Sequence, residues 1–398
     1  MKTQDLPGKQ VMIIAGETSG DHHGARLVAE MAKKDTDLRF CGVGGPQMKA
    51  AGVEILVDAG QLSVVGITEV FSALPVVLRE AGRVKREMLR RRPDLLILID
   101  FPDFNLHMAG FAKKHGIRVF YYISPQIWAW RRSRVKKIKR RVDHMAVILP
   151  FEADFYRAWQ VPVTFVGHPL LDHYTEAHWQ EPADNSIQDS ASETAAVVGL
   201  LAGSRKSEIR RNLPVMLAAA GRLAEDLPGV EFIVSVAPGI DPLWLEEWIQ
   251  PWRDRIDMKL QSGEIVGILE QCTLVVAASG TVTLEAAIFG VPMVIMYRIS
   301  SLSYMLGKML VKVDHIGLAN IIAGQRVVPE LIQQDANPGT IARTVRDLLS
   351  DRAALSDLRR RLKTVRAMLG EPGASEKAAN IALSLIYRNT EATPAGKV

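Results

Sequence analysis

The sequence predicts an α/β protein of two consecutive domains, each a parallel sheet covered by helices. Three observations carry that expectation. Short apolar runs alternate with helical patterns almost throughout, the order that βαβ crossovers impose. The chain has 398 residues, more than a single hydrophobic core usually holds. Residues 176–194 (EAHWQEPADNSIQDSASET) then interrupt the alternation with a polar, acidic stretch suited to a linker.

The first half offers strands at 11–15 (VMIIA), 38–42, 94–99 (DLLILI), 117–122 (IRVFYY), 144–148 (HMAVI) and 162–166. Their near-continuous apolar character is that of strands buried on both faces. Helical patterns fall at 21–34, 75–91, 104–115, 131–140 and 151–159. The alternation restarts with strands at 196–201 (AVVGLL), 231–236, 274–277 and 292–296. Residues 273–297 contain one charge, Glu285, and are long enough to span a bilayer. Ser279–Gly280, Gly290 and Pro292 divide them, so the reading is strand, helix, strand. Residues 338–388 are helical in pattern throughout, and 389–398 read as a tail. The expected domains are therefore 1–175 and 195–388, with 176–194 as linker or excursion.

Composition excludes whole classes. Apolar residues make up 48% and charged residues 23%, which is ordinary for a globular protein and not for a disordered or collagenous chain. Two cysteines, Cys41 and Cys272, set no disulfide framework or zinc pattern and fit a reducing compartment. The nine histidines show no ligand spacing, so no bound metal and no cofactor is expected. The N-terminus lacks the basic-then-apolar plan of a signal peptide. Net charge is only +5, so its distribution matters more than its size.

Seven segments can carry chemistry. Gly16-Glu17-Thr18-Ser19-Gly20-Asp21 follows the first strand and opens a helix. Thr18 and Ser19 are cap candidates for a helix whose free N–H groups favour an anionic or polar ligand, and Glu17 is expected at the mouth of a cleft between the domains. It is neither a Walker loop nor a dinucleotide fingerprint, and Gly42-Val43-Gly44-Gly45 also fails the latter. Asp100 ends the very apolar strand of Ile99-Asp100-Phe101-Pro102-Asp103-Phe104-Asn105, where apolar neighbours raise a carboxyl pKa and suit a general base. Asp103 reads as a cap of the next helix. Trp128 and Trp130 precede Arg131, Arg132 and a run to residue 141 with eight positive charges in eleven residues. Such a run suits nucleic acid, anionic lipid or a solvated face. Residues 62–78 hold a dense apolar patch including Phe71, Leu74 and Val77, and 79–92 add seven positive charges against two acids. That pattern fits either core packing or a membrane interface.

The second half contributes Leu201-Ala202-Gly203-Ser204-Arg205, a glycine turn where Ser204, backbone N–H groups and Arg205 can grip a phosphate. Ser279-Gly280-Thr281 can offer hydroxyls and N–H groups to a diphosphate. Glu285, one turn further on, can accept from a ribose diol. Asn320, Glu330 and Gln333 are polar residues in an apolar setting, a weak signal alone.

GETSGD, VGGPQM, VVGITEV, IDFPDFN, YYISPQIWAWRRSRV, LPFE, FVGHPLLD, LAGSR, ASGTVTLEAA and LANIIAGQRVVPELIQ occur in this order. The ordered set resembles the lipid-A-disaccharide synthase family over residues 10–385. The resemblance implies a GT-B glycosyltransferase with two Rossmann-like doubly wound domains facing across a cleft, and C-terminal helices. The N-terminal domain would serve the acceptor and membrane, and the C-terminal domain the UDP-sugar donor. The implied reaction passes 2,3-diacylglucosamine from UDP to the 6-hydroxyl of 2,3-diacylglucosamine 1-phosphate, giving a β-1,6 disaccharide phosphate on the way to lipid A. The anomeric centre inverts, so one base suffices: Asp100, with Glu17 as rival or sugar-positioning partner. Asn320, Glu330 and Gln333 carry over as donor-site residues beside Arg205, Ser204, Ser279, Gly280, Thr281 and Glu285. The resemblance further implies a peripheral protein on an anionic inner-membrane surface, with 70–78 and 131–141 as its membrane face, and a homodimer. Ala202 stands where the family usually has proline, which bears only on loop rigidity.

Two other readings remain at this point. A UDP-N-acetylglucosamine 2-epimerase or another UDP-sugar transferase would share the donor residues without needing the apolar surface. A non-catalytic nucleic-acid binder would use Trp128, Trp130 and 131–141, and its binding would depend steeply on salt.

Overall fold

The computed structural model describes residues 8–62, 67–174, 196–299, 304 and 314–387, with the backbone alone at 61 and 67–74. The expected linker at 176–194 and tail at 389–398 lie outside them. Two compact units emerge, one formed by residues 1–173 and 370–398, the other by 174–369.

The first unit runs β1 (Gln10–Ala15), α1 (Thr18–Lys34), β2 (Arg39–Gly44), α2 (Pro46–Ala50), β3 (Glu54–Asp58), α3 (Ile67–Arg91), β4 (Leu95–Ile99), α4 (Pro102–Lys114), β5 (Arg118–Tyr122), α5 (Val135–Arg141), β6 (His144–Val147), α6 (Pro150–Ala158) and β7 (Val163–Phe165). Its seven strands are parallel in the order β3-β2-β1-β4-β5-β6-β7. Side chains alternate faces along a strand. Met12, Ile14, Leu96 and Leu98 therefore fill one core layer, and Val11, Ile13, Ala15, Leu95, Ile97 and Ile99 the other. With both faces covered, the strands read as unbroken apolar runs.

The second unit runs β8 (Val197–Leu201), α7 (Lys206–Asp226), β9 (Glu231–Val236), α8 (Pro242–Ile249), β10 (Met258–Ser262), α9 (Ile265–Leu269), β11 (Leu274–Ala278), α10 (Thr281–Ile288), β12 (Met293–Tyr297), α11 (Leu318–Ala323), β13 (Glu330–Ile332), α12 (Pro338–Ser350) and α13 (Arg352–Met368). Its parallel order, β10-β9-β8-β11-β12-β13, is the doubly wound arrangement with a reversal between β8 and β11. Residues 273–297 are strand, helix and strand as expected, and among the described residues no helix is long and apolar enough to cross a membrane.

Three expectations change here. The last helix, α14 (Ala374–Tyr387), was placed in the second domain but belongs to the first unit. Its stripe of Ala374, Ala378, Ala379, Ala382, Leu385 and Ile386 joins the core layer of Leu27, Val28 and Met31 on α1, the small alanines allowing close approach. The Asp172 carboxylate accepts the N–H groups of Gly373 (2.7 Å), Ala374 (3.0 Å) and Ser375 (2.9 Å), capping α14. α3 begins at Ile67 and runs through Pro75, whereas the sequence suggested a start at the proline, its favoured place. α1 begins at Thr18 with Glu17 at the N-cap and no side-chain cap, so Thr18 and Ser19 lie within the helix instead of capping it.

Candidate active site

In an open parallel sheet, ligands bind beyond the carboxyl ends of the strands where the order reverses. In the first unit that point lies between β1 and β4, which pair with Ala15 beside Ile99. The chain leaves β1 into Gly16 and Glu17, and leaves β4 into Asp100, so topology alone brings both carboxyls to one edge.

Asp100 and Phe101 are both left-handed, with φ of +45° and +46°. Such a conformation costs a non-glycine residue about 1 kcal/mol or more. The Asp100 carbonyl accepts from the Tyr121 hydroxyl at 2.5 Å and from Asn105 Nδ2 at 2.7 Å. Phe101 turns its ring under the first loop, 2.3 Å from where a Cβ on Gly16 would lie, so only glycine fits at 16. Burial, then the charge of Glu17, pushes the Asp100 carboxyl up to about 6, against a lesser downward pull from the Phe101 N–H. The group is thus ionised near neutrality yet basic enough to take a proton. Glu17 is exposed.

Asp21, the last residue of GETSGD, is buried and accepts from Gly45 (2.7 Å), Gln47 (3.0 Å) and Met48 (3.0 Å) N–H groups. It ties the first motif to the second by capping α2. Asp103 does not cap α4, whose N-cap is Phe101. Its exposed carboxylate pairs with Arg131 at 3.6 Å and with Arg134.

The aromatic-basic segment divides. Trp128 was expected on the outer face and is buried instead. Its indole N–H donates to the buried Glu152 at 3.0 Å, and its ring meets Phe151 edge-on at 4.8 Å. A buried indole N–H needs an acceptor, and burial in turn pushes the Glu152 carboxyl up to about 7. Trp130 stays at the surface with the Arg131 guanidinium over its ring at 4.3 Å. Arg132 Nε donates to the Trp128 carbonyl at 2.9 Å. Val77, also expected to face outward, is half-buried against the first-unit core, while its neighbour Leu78 is 63% exposed. The side chains of Phe71 and Leu74 lie outside the described residues.

In the second unit the reversal lies between β8 and β11, paired with Leu201 beside Ala277. It brings the 202–205 turn next to Ser279–Thr281. Gly203 has φ +120°, and Arg205 is the N-cap of α7. Glu208 Oε2 accepts the Ser204 N–H at 3.1 Å, and its Oε1 lies 3.6 Å from Arg205. A carboxylate of the chain itself thus sits where an anion is favoured. Gly280 and Thr281 are exposed at the N-terminus of α10, which has no side-chain cap. Glu285 accepts from the Tyr174 hydroxyl at 2.8 Å, and its carboxyl is raised by burial against that hydrogen bond.

Asn320, Glu330 and Gln333 all hydrogen-bond the backbone around them. Asn320 is wholly buried; it accepts from Val327 (2.7 Å) and Val328 (2.9 Å) and donates to the Val328 carbonyl (2.9 Å) and to Glu330 (2.8 Å). Glu330 also accepts from Ile316 (3.0 Å) and Gly317 (2.9 Å). Gln333 exchanges two hydrogen bonds with the backbone of Ile299, at 2.9 and 3.2 Å. Buried amides and carboxylates need such partners. Tyr121, Tyr174, Glu152 and Asp172 did not stand out in the sequence, because nothing in their spacing reveals which buried groups they serve.

The profile of the family described as lipid-A-disaccharide synthetase matches residues 11–384. The lipid-A-disaccharide synthase of Syntrophus aciditrophicus is 46% identical over 384 residues, covering 96% of this chain and all of that one. Among solved structures, the UDP-GlcNAc 2-epimerase of Neisseria meningitidis has a TM-score of 0.60 at 12% identity, covering 96% and 100% of the two chains. Acinetobacter baumannii MurG has a TM-score of 0.59 at 14% identity, covering 94% and 99%. These two structural likenesses speak to the fold, which is that of the GT-B glycosyltransferases.

Proposed function

The chain belongs to the lipid-A-disaccharide synthase family, and we propose that its first unit supplies the base and its second unit the donor site of that reaction. The donor is UDP-2,3-diacylglucosamine and the acceptor 2,3-diacylglucosamine 1-phosphate. The acceptor's 6-oxygen forms a bond to the donor's anomeric carbon as the bond from that carbon to the diphosphate oxygen breaks. UDP leaves with the electron pair, and the hydroxyl proton passes to the Asp100 carboxylate. One displacement inverts the centre.

The observation that carries this reading is Asp100 at the reversal point of its sheet, its carboxyl raised to about 6 by burial and by Glu17. Glu17 takes the secondary role of tuning that carboxyl. Ser204, Arg205, Ser279, Gly280 and Thr281 stabilise the departing diphosphate through N–H groups and one guanidinium, and Glu285 accepts from the ribose. Asn320, Glu330 and Gln333 act on the donor through the backbone they hold.

Acyl chains on both substrates call for a surface that meets lipid. Exposed Leu78 beside Arg79 and Arg83, and the basic run at 131–141 with Trp130, supply apolar and cationic groups for an anionic leaflet. On this reading the enzyme works peripherally at the inner membrane.

The test is an assay of the purified chain with both lipid substrates, with and without EDTA, followed by mass spectrometry. A disaccharide phosphate plus UDP in both conditions is the expected result. UDP binding without product would move the chain to another UDP-sugar reaction.

A further inference from the structure

We propose that Tyr121 and Asn105 are positioning residues for Asp100, whose carbonyl they hold so that its left-handed turn keeps the carboxyl presented at the strand end. This rests on the reading of Asp100 as the base. Among the described residues, Asp100 and Phe101 are the only two consecutive non-glycine residues with positive φ. A turn of that kind relaxes when its central peptide rotates, and the rotation would swing the carboxyl away. Strain of this sort persists only where the surroundings over-determine it.

The peptide joining Asp100 to Phe101 is held through its carbonyl by two donors. Its carbonyl receives the Tyr121 hydroxyl at 2.5 Å and Asn105 Nδ2 at 2.7 Å. Its N–H, on the opposite edge of the same plane, acts on the Asp100 carboxyl only as a small downward pull on its pKa. Fixing the carbonyl therefore fixes the peptide plane, and with it the left-handed backbone from which the carboxyl projects. Tyr121 lies on β5, its residue paired with Leu98 two positions before Asp100. It is wholly buried, and burial holds its phenol well above the usual range, so it remains a donor at every working pH. Asn105 is equally buried and also donates to the Ile99 carbonyl at 3.1 Å. Neither donor serves the carboxyl itself in this arrangement; both act through the backbone.

The experiment measures kcat, the KM of each substrate, UDP affinity and the pH–rate profile for the full chain and for Tyr121→Phe, Asn105→Leu and Asp100→Asn. Tyr121→Phe keeps the ring and deletes one donor, and Asn105→Leu keeps the approximate size, deletes the other and adds no titratable group. Each is expected to lower kcat roughly tenfold or more, the size of one well-placed hydrogen bond. Donor KM and UDP affinity should stay at wild-type values. The acid limb of the profile should move to lower pH, because a loosened turn lets water reach the carboxyl and draws it away from Glu17. A purely structural defect would lower activity without moving that limb. Wild-type kcat and an unmoved limb in both variants, with Asp100→Asn inactive, would overturn the positioning role alone. Full turnover in Asp100→Asn would overturn the base, and this inference with it.

Discussion

The hydroxyl of Tyr174 donates to Glu285 at 2.8 Å across 111 residues of sequence. That bond engages one carboxylate oxygen, and it partly offsets the burial that raises the Glu285 carboxyl. Glu285→Gln should weaken UDP binding by about tenfold or more, the loss of charge-assisted hydrogen bonds to a diol. Tyr174→Phe should cost only a few-fold, since the carboxylate remains. Titration calorimetry with UDP decides this, and equal losses in the two variants would mean that the pair is structural.

Arg205 should matter through its head group. Its side chain is 66% exposed and its nearest acid, Glu208, stands off at 3.6 Å. Among the described residues, no contact holds the guanidinium as tightly as a diphosphate would. Arg205→Ala should lower UDP affinity by roughly tenfold to a hundredfold, and Arg205→Lys should recover only part, because lysine lacks the bidentate fork. Melting temperature should barely change. UDP affinity equal to wild type in Arg205→Ala would remove the residue from the donor site.

Leu78 carries the membrane prediction better than the residues first singled out around it. Val77 packs against the core, so Val77→Ser would confuse unfolding with release. Leu78 is 63% exposed, and Leu78→Ser should be close to neutral for stability. Sedimentation with vesicles containing anionic lipid should show weaker binding for Leu78→Ser, and weaker still with the exposed Lys136→Ser and Lys137→Ser added, since each cation near such a surface contributes about 1 kcal/mol. Unchanged sedimentation of the triple variant would place the membrane face elsewhere.

Legibility in the sequence followed burial. Strands such as Leu95–Ile99 are covered on both faces and announce themselves as apolar runs. The three that the pattern did not reveal, Glu54–Asp58, Met258–Ser262 and Glu330–Ile332, are all outer strands with partly exposed residues. The place of Asp100 was legible because the apolar run of its strand stops there. The hydrogen bonds of Asn320, Glu330 and Gln333 to the backbone were not legible, because a polar residue in an apolar run looks the same whether it meets a ligand or the backbone. Trp128 was misread for a related reason: its acceptor, Glu152, comes from a different element. The partner of α14 was hidden altogether, since periodicity shows that a face is buried but not against what.

Activity should fall on the acid side of neutrality. The Asp100 carboxyl, raised to about 6, is protonated below that pH and cannot accept a proton, so kcat/KM should lose about a decade for each pH unit beneath it. Glu17 contributes to the rise by charge repulsion. Glu17→Gln should therefore move the acid limb to lower pH while turnover near pH 8 stays comparatively high. An unmoved limb would mean that Glu17 does not tune Asp100, and the loss of turnover at all pH values would make Glu17 a direct participant.

Asp100 should also cost the protein stability whenever it is ionised. Its carboxyl titrates at about 6 when folded against an ordinary 3.8. Between those values the folded state binds more protons than the unfolded one, so stability falls as pH rises through the window and stays lower above it. The full effect is at most about 3 kcal/mol, reduced by partial hydration. Asp100→Asn has no charge to bury, and asparagine tolerates the left-handed conformation. It should therefore melt several degrees above wild type at pH 7–8, with the gap closing as pH approaches 4. Thermal melts of both proteins across pH 4–8 test this directly. A gap that does not change with pH would show that the carboxyl is not held in its neutral form by the fold, and would take away the physical basis for its raised basicity.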